Sequence, residues 1–128
     1  MTKLQTSRAV AVSFGTPVEA CIEGLAAQYG MTVLQAASAE AVFESIRRMR
    51  PPLLVLGMGR PESEATRLIE MLNGAFPSIP IAVIGTEPEE EVERAALQAG
   101  ARYYLTCTSS SCYREALESI LSRYDAPQ

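Results

Sequence analysis

Short apolar runs alternate along the chain with longer segments in which apolar residues recur at helical spacing. The runs are rich in Val, Ile and Leu and occupy residues 9–14, 32–37, 53–58, 81–85 and 102–107. Two of them are nearly continuous in apolar residues, which is typical of strands buried on both faces of a sheet. The pattern therefore predicts five β-strands.

The segments between the runs predict amphipathic helices, because their apolar positions recur with a period close to 3.6. The first and last segments show this most clearly, at Val18, Ile22, Leu25, Ala26 and Tyr29, and at Tyr113, Leu117, Ile120, Leu121 and Tyr124.

Residues with special backbone preferences mark the helix limits. Residues 16–19 (TPVE) offer a capping Thr, a Pro at the first helical position and a Glu three residues after the cap, and residues 86–89 (TEPE) repeat the Thr-to-Glu spacing. Gly30 and Gly100 stand where the first and fourth helices should end. Pro residues at 51–52 and 77 should end the second and third.

Five βα units with short connections predict an α/β fold in which helices cover both faces of a parallel sheet. In such sheets, binding and chemistry are found at the carboxyl ends of the strands. The residues at these ends are Ser13, Phe14 and Gly15, then Gly57, Met58 and Gly59, then Gly85 and Thr86, and finally Cys107 and Thr108.

Composition restricts the chemistry that these strand ends can support. The chain has no His, and its only Lys and Asp are Lys3 and Asp125, near the two ends of the sequence. A Ser-His-Asp triad, a Schiff-base lysine and a His-based metal site are therefore excluded from the strand ends. We expect no enzymatic activity and no cofactor.

Charge and cysteine usage indicate the setting of the protein. A net charge of −4 argues against a nucleic-acid partner, which favours a basic patch. Three cysteines without CxxC spacing fit a reducing compartment. No apolar run approaches the roughly 18 residues that span a membrane, and residues 1–8 lack a signal-peptide core. We expect one cytoplasmic domain over the 128 residues, without a membrane partner.

From about Arg8 to Tyr124 the sequence resembles the receiver domain of two-component response regulators, the CheY-like fold. Two stretches are most similar: residues 50–56 (RPPLLVL) leading to Pro61, and residues 99–106 (AGARYYLT). In the family, the first runs into the phosphoacceptor aspartate, with a proline four residues later, and the second precedes an invariant lysine. The resemblance implies a (βα)5 three-layer sandwich with strand order 2-1-3-4-5.

The positions that the resemblance assigns to phosphorylation hold other residues. They are Ser13 and Phe14 for the acidic pair that holds a divalent ion, Gly57 for the phosphoacceptor, Gly85 (or Thr86 after a one-residue shift) for a Ser or Thr, and Cys107 for the lysine. Aspartyl phosphorylation needs a carboxylate nucleophile, a cation held by oxygen ligands and a positive side chain. We therefore expect a receiver-like domain that is independent of phosphorylation and acts through protein–protein interaction in or near a two-component pathway.

The glycines at the strand ends support an alternative, a small-molecule or anion sensor. Backbone N–H groups at residues 15–16, 57–60 (including Gly59) and 85–86 would face the ligand, and Arg60 would pair with it. Tight strand-to-helix turns explain the same glycines. A thiol site at Cys107 and Cys112 is a further hypothesis, against which stands the simpler interpretation of two small space-filling residues.

The fourth helix opens with an acidic run at residues 87–93, which includes Glu91 and suits a helix N-terminus. In the family, helix 4, strand 5 and helix 5 form the surface used for dimers and partners, and Tyr104 aligns with an aromatic switch position. Cationic side chains in the same region make a homodimer through this surface conceivable, since they complement the acidic run: Arg94, Arg102, Arg114 and Arg123.

Overall fold

The computed structural model describes residues 9–13, 24, 27–35, 38–57, 62–85, 90–106 and 111–124. Within these ranges, the side chains of residues 13, 35, 62–65 and 111–114 are not described. All structural statements below concern this part of the chain.

Five parallel strands form one sheet in the order β2-β1-β3-β4-β5. Their bounds are Val10–Ser13 (β1), Thr32–Gln35 (β2), Leu54–Gly57 (β3), Ile81–Gly85 (β4) and Tyr103–Thr106 (β5). The predicted fold class and strand order are therefore confirmed. The strands are shorter than most of the apolar runs. Leu53, for example, is buried and its carbonyl accepts a hydrogen bond from the Val10 N–H, but it lies one residue before β3.

Helices follow the strands along the chain. Helical backbone at residues 24 and 27–29 is labelled α1, and the other helices are Ala39–Met49 (α2), Glu62–Ala75 (α3), Glu90–Ala99 (α4) and Ser111–Tyr124 (α5). Gly30 and Gly100 follow α1 and α4 with φ angles of 71° and 128°, a region that glycine adopts without steric cost. Both predicted helix ends are confirmed.

The limits of α2 show how local sequence sets an element. Ser38 caps the helix, since its side-chain oxygen accepts a hydrogen bond of 3.2 Å from the backbone N–H of Ala41. The helix ends ahead of the prolines at 51–52, where Arg50 adopts a left-handed conformation with φ 48° and its N–H bonds to the carbonyl of Ile46. Arg47 and Arg48 lie in the last turn, where the helix dipole favours cations.

The core is divided between the two faces of the sheet. Alternate strand residues such as Leu54 and Leu56 pack with side chains of α2, α3 and α4 on one face, whereas Leu53 and Val55 pack with α5 on the other. Every residue of β3 and β4 is buried, as the near-continuous apolar runs predict. The result is a three-layer sandwich whose central strands are enclosed on both sides. None of the described helices is long and apolar enough to cross a membrane.

Candidate functional site

The carboxyl ends of the three central strands meet at one edge of the sheet. Val12 of β1 lies beside Leu56 of β3, so that the next residues along each strand, Ser13 and Gly57, both stand at this edge. Gly57 is paired with Ile84 of β4. The topology therefore brings together Ser13 and Gly57, two of the positions that the resemblance assigns to phosphorylation.

Gly57 ends β3 and is buried. A glycine has no side-chain oxygen, so the position that should hold the phosphoacceptor contains neither a nucleophile nor a metal ligand. Its described neighbours in the sheet give no replacement carboxylate, because Val12, Leu56 and Ile84 are apolar and Ser13 has only a hydroxyl.

Gly85 ends β4 beside Thr106 of β5 and is closed off by Tyr104. A Cβ placed on Gly85 would lie 2.8 Å from Tyr104 Cζ and nearer still to its hydroxyl oxygen, distances at which one group has to move. The Tyr104 ring is half-buried and packs against the core face that includes α3 and α4. A Ser or Thr at position 85 is therefore incompatible with the observed position of Tyr104.

The described strand ends do not fit the divalent cation that the fold family implies. Mg²⁺ is held by carboxylate and other oxygen ligands in near-octahedral geometry. The residues that end β1, β3, β4 and β5 are Ser13, Gly57, Gly85 and Thr106, none of which has a carboxylate. No group of three or more potential metal-ligating side chains occurs among the described residues.

Several predicted site residues lie outside the described part of the chain, so their predictions remain untested: Phe14, Gly15, Gly59, Arg60, Thr86 and Cys107. Only the backbone is described for Ser13 and for two residues of α5, Arg114 and Cys112. The anion-sensor and thiol hypotheses depend on these residues and stay predictions.

The predicted interface surface is described for α4 and β5. Glu91, Arg94 and Arg102 are exposed. Glu90, Glu91 and Glu93 occupy the first turn of α4, as the acidic run predicts. An open depression runs along this helix and is lined by Glu90, Glu93, Arg94, Leu97 and Gln98.

A second polar cluster links the start of β5 to the end of α5. The hydroxyl of Tyr103 donates a hydrogen bond of 3.1 Å to the Tyr124 oxygen. Arg102 Nη1 donates to the Tyr124 oxygen at 3.1 Å, and Arg123 Nη1 donates to the Tyr103 oxygen at 3.2 Å. We call these four residues the Arg–Tyr cluster. The sequence indicates cationic positions at Arg102 and Arg123 and an apolar helical position at Tyr124, but only the packing of α5 on β5 brings these side chains together.

Hydrogen bonding within the Arg–Tyr cluster favours the charged forms of Tyr124 and Arg123. The bond from Tyr103, together with that from Arg102, lowers the pKa of the Tyr124 phenol below its ordinary value. The bond to the Tyr103 oxygen is the main cause that raises the pKa of the Arg123 guanidinium. The Arg123 guanidinium therefore stays cationic at physiological pH.

Comparison with known proteins identifies the fold. No protein-family model and no curated protein matches the chain. Among solved structures, a LuxR-family two-component response regulator from Aurantimonas sp. SI85-9A1 superposes with a TM-score of 0.74 at 21% identity, covering 94% of this chain and 89% of that one.

Two further solved structures superpose on this chain with similar TM-scores. The BeF3-activated N-terminal receiver domain of Klebsiella pneumoniae RstA gives a TM-score of 0.71 at 22% identity, covering 90% of this chain and 97% of the other. The CheY-like protein TadZ from Pseudomonas aeruginosa PAO1 gives a TM-score of 0.69 at 24% identity, covering 88% of this chain and 98% of that protein. The chain therefore has the fold of CheY-like receiver domains.

Proposed function

We propose that this chain is a receiver-like signalling domain that acts without phosphorylation, through contacts with other proteins in or near a two-component pathway. The fold that it shares with response regulators supports the signalling role. Because one fold hosts many functions, the mechanism has to be argued from the site itself.

The observation that carries the proposal is the identity and surroundings of Gly57. It stands at the end of the buried strand β3, at the sheet edge where the resemblance places the phosphoacceptor. No Asp occurs in the sequence before Asp125, which follows α5. A carboxylate nucleophile for phosphoryl transfer is therefore missing from the position that needs one.

The contact between Gly85 and Tyr104 supports the same conclusion. In the family that the sequence resembles, Tyr104 aligns with an aromatic switch residue. Here its ring fills the space beside Gly85, so its position is set by packing and needs no phosphate. We infer that any change of state follows from binding to a partner, which shifts a population only by its differential affinity for the two states.

The surface formed by α4, β5 and α5 is the proposed interaction surface, and a homodimer is one form that the interaction takes in this proposal. Exposed acidic residues at the start of α4 and the exposed Arg94 and Arg102 give it charges of both signs. A cytoplasmic location agrees with this role and stays a prediction.

Intact-protein mass spectrometry after incubation with acetyl phosphate and Mg²⁺ tests the phosphorylation-independent part of the proposal. We expect one unmodified mass, while a phosphorylatable receiver domain treated in parallel gains a phosphoryl group. A phosphorylated species that is labile to hydroxylamine, as an acyl phosphate is, would overturn the proposal.

A further inference from the structure

The Arg–Tyr cluster lies at the end of the sheet away from the strand carboxyl ends. Arg102 and Tyr103 lead into β5, and Arg123 and Tyr124 close α5. The backbone of Arg102 is fixed, since its N–H donates a hydrogen bond of 2.8 Å to the carbonyl of Ile81. The cluster is therefore separate from the Gly57 site and rests on rigid elements.

The side chains of the cluster hold one another in position. The rings of Tyr103 and Tyr124 meet edge to face, with centroids 6.1 Å apart and planes inclined at 62°. The Arg102 guanidinium also lies 6.0 Å from the centroid of the Tyr124 ring. The hydrogen bonds among the four side chains thus fix two guanidinium groups around a pair of linked hydroxyls.

The cluster has an excess of donors and of positive charge. A guanidinium has five N–H donors and no acceptor, and the bonds within the cluster go to neutral hydroxyl oxygens. The described residues form one side-chain ion pair, between Arg47 and Glu44. Neither Arg102 nor Arg123 therefore has a carboxylate partner among the described residues. The remaining donors suit anionic oxygen acceptors.

We propose that the Arg–Tyr cluster is a docking site for an acidic segment of a protein partner, with a carboxylate on each guanidinium. Arg and Tyr are enriched at the centres of protein interfaces, and side chains fixed in advance lose little entropy on binding. Both arginines are exposed. A single small anion at such a site gains little, because exposed ion pairs are individually weak, whereas several carboxylates on one segment add their contributions.

This inference rests on the proposed function in protein–protein interaction and names the chemistry of the partner. The probe is a fluorescein-labelled hexaglutamate peptide, titrated at low ionic strength, with hexaglutamine as the uncharged control. Amide NMR of the labelled domain locates the contact. We expect saturable binding of hexaglutamate alone, with shifts concentrated at residues 102–103 and 123–124.

Three variants make the test specific. Arg102→Gln with Arg123→Gln should weaken hexaglutamate binding about tenfold. Arg47→Gln with Arg48→Gln removes the same charge from exposed positions at the end of α2 and should leave the affinity unchanged. Tyr103→Phe with Tyr124→Phe keeps the charge, removes the hydroxyls that position the guanidiniums, and should weaken binding severalfold.

Absence of hexaglutamate binding would overturn the inference. So would an equal loss in the Arg47 and Arg48 variant, which would show a general charge effect. Inorganic phosphate that shifts the same amides with equal affinity would also overturn it, in favour of a small-anion site. Phosphorylation of the chain by acetyl phosphate would instead refute the proposed function and leave the peptide result standing.

Discussion

The side chain of Tyr104 fills the space that a Cβ on Gly85 would occupy. Gly85 ends β4 and Tyr104 belongs to the neighbouring strand β5, whose residues lie in register with those of β4. Replacing Gly85 by Ala places a methyl group against the Tyr104 ring. We expect unfolding free energy to fall by about 1–3 kcal/mol, as for other overpacked cores, with the Tyr104 ring displaced.

Chemical denaturation and the Tyr104 ring signals in NMR measure both effects. Gly74→Ala is the matched control: its Cβ would meet nothing within 4 Å, and in a helix this change should stabilise by about 0.5–1 kcal/mol. In a Tyr104→Ala background the cost of Gly85→Ala should decrease, which a double-mutant cycle detects. An unchanged stability and an unmoved ring in Gly85→Ala would contradict the packing described.

The central strand β3 should be highly sensitive to truncation. Leu56 is fully buried in it and packs with α2, α3 and α4. Leu56→Ala should reduce unfolding free energy by about 2–5 kcal/mol. Leu97→Ala, at a site that is 40% exposed on α4, should cost far less. Equal losses in urea denaturation would mean that β3 does not lie between two helical layers.

Arg50 offers a stabilising substitution. It holds φ 48° at the end of α2, a conformation that costs a residue with a Cβ but not glycine. Arg50→Gly should raise the melting temperature, with a gain in unfolding free energy of up to about 1 kcal/mol. Met49→Gly, one residue earlier within the helix, should lower the unfolding free energy by a similar amount. A similar loss of stability in both variants would contradict the left-handed backbone conformation of Arg50.

The pKa of the Tyr124 phenol in the folded protein should lie below its ordinary value of about 10. Because folding favours the ionised form of Tyr124, this phenol stabilises the fold fully at pH values above its pKa in the unfolded chain. That stabilisation is lost as the pH falls through its pKa in the folded protein. NMR of the Tyr ring Cζ carbons measures the titration.

Arg102→Gln removes one of the two donors and should move the Tyr124 titration back toward its unfolded value. Arg48→Gln, at the end of α2, should leave it in place. A Tyr124 titration identical in the native protein and in the Arg102→Gln variant would show that the hydrogen bond from Arg102 to Tyr124 does not form.

The sequence predicts the fold where local and global preferences coincide. The near-continuous apolar runs at 53–58 and 81–85 mark the central strands, and Gly30 and Gly100 mark helix ends because few other residues adopt their backbone angles. Parallel pairing then follows from the βα alternation. The position of Gly57 at the sheet edge was predictable for the same reason, since the end of a strand is set by its own apolar run.

Contacts between distant residues were not predictable in this way. Tyr103 and Tyr124 are 21 residues apart, and their meeting depends on how α5 lies on β5. Likewise, Tyr104 was identified from alignment with a switch position, but its contact with Gly85 depends on the register of β4 and β5. Periodicity assigns a side chain to a face of an element and leaves open which partner it meets there.

We propose that the sheet edge around Gly57 and Gly85 does not take a phosphoryl group. Amide NMR of the domain, recorded with and without Mg²⁺ and beryllofluoride, tests it most directly, with the Klebsiella pneumoniae RstA receiver domain, solved in a BeF3-activated form, as the responsive control. We expect the Gly57 and Gly85 amides to stay in place while those of the control move. Saturable shifts at Gly57 and Gly85 would contradict the account.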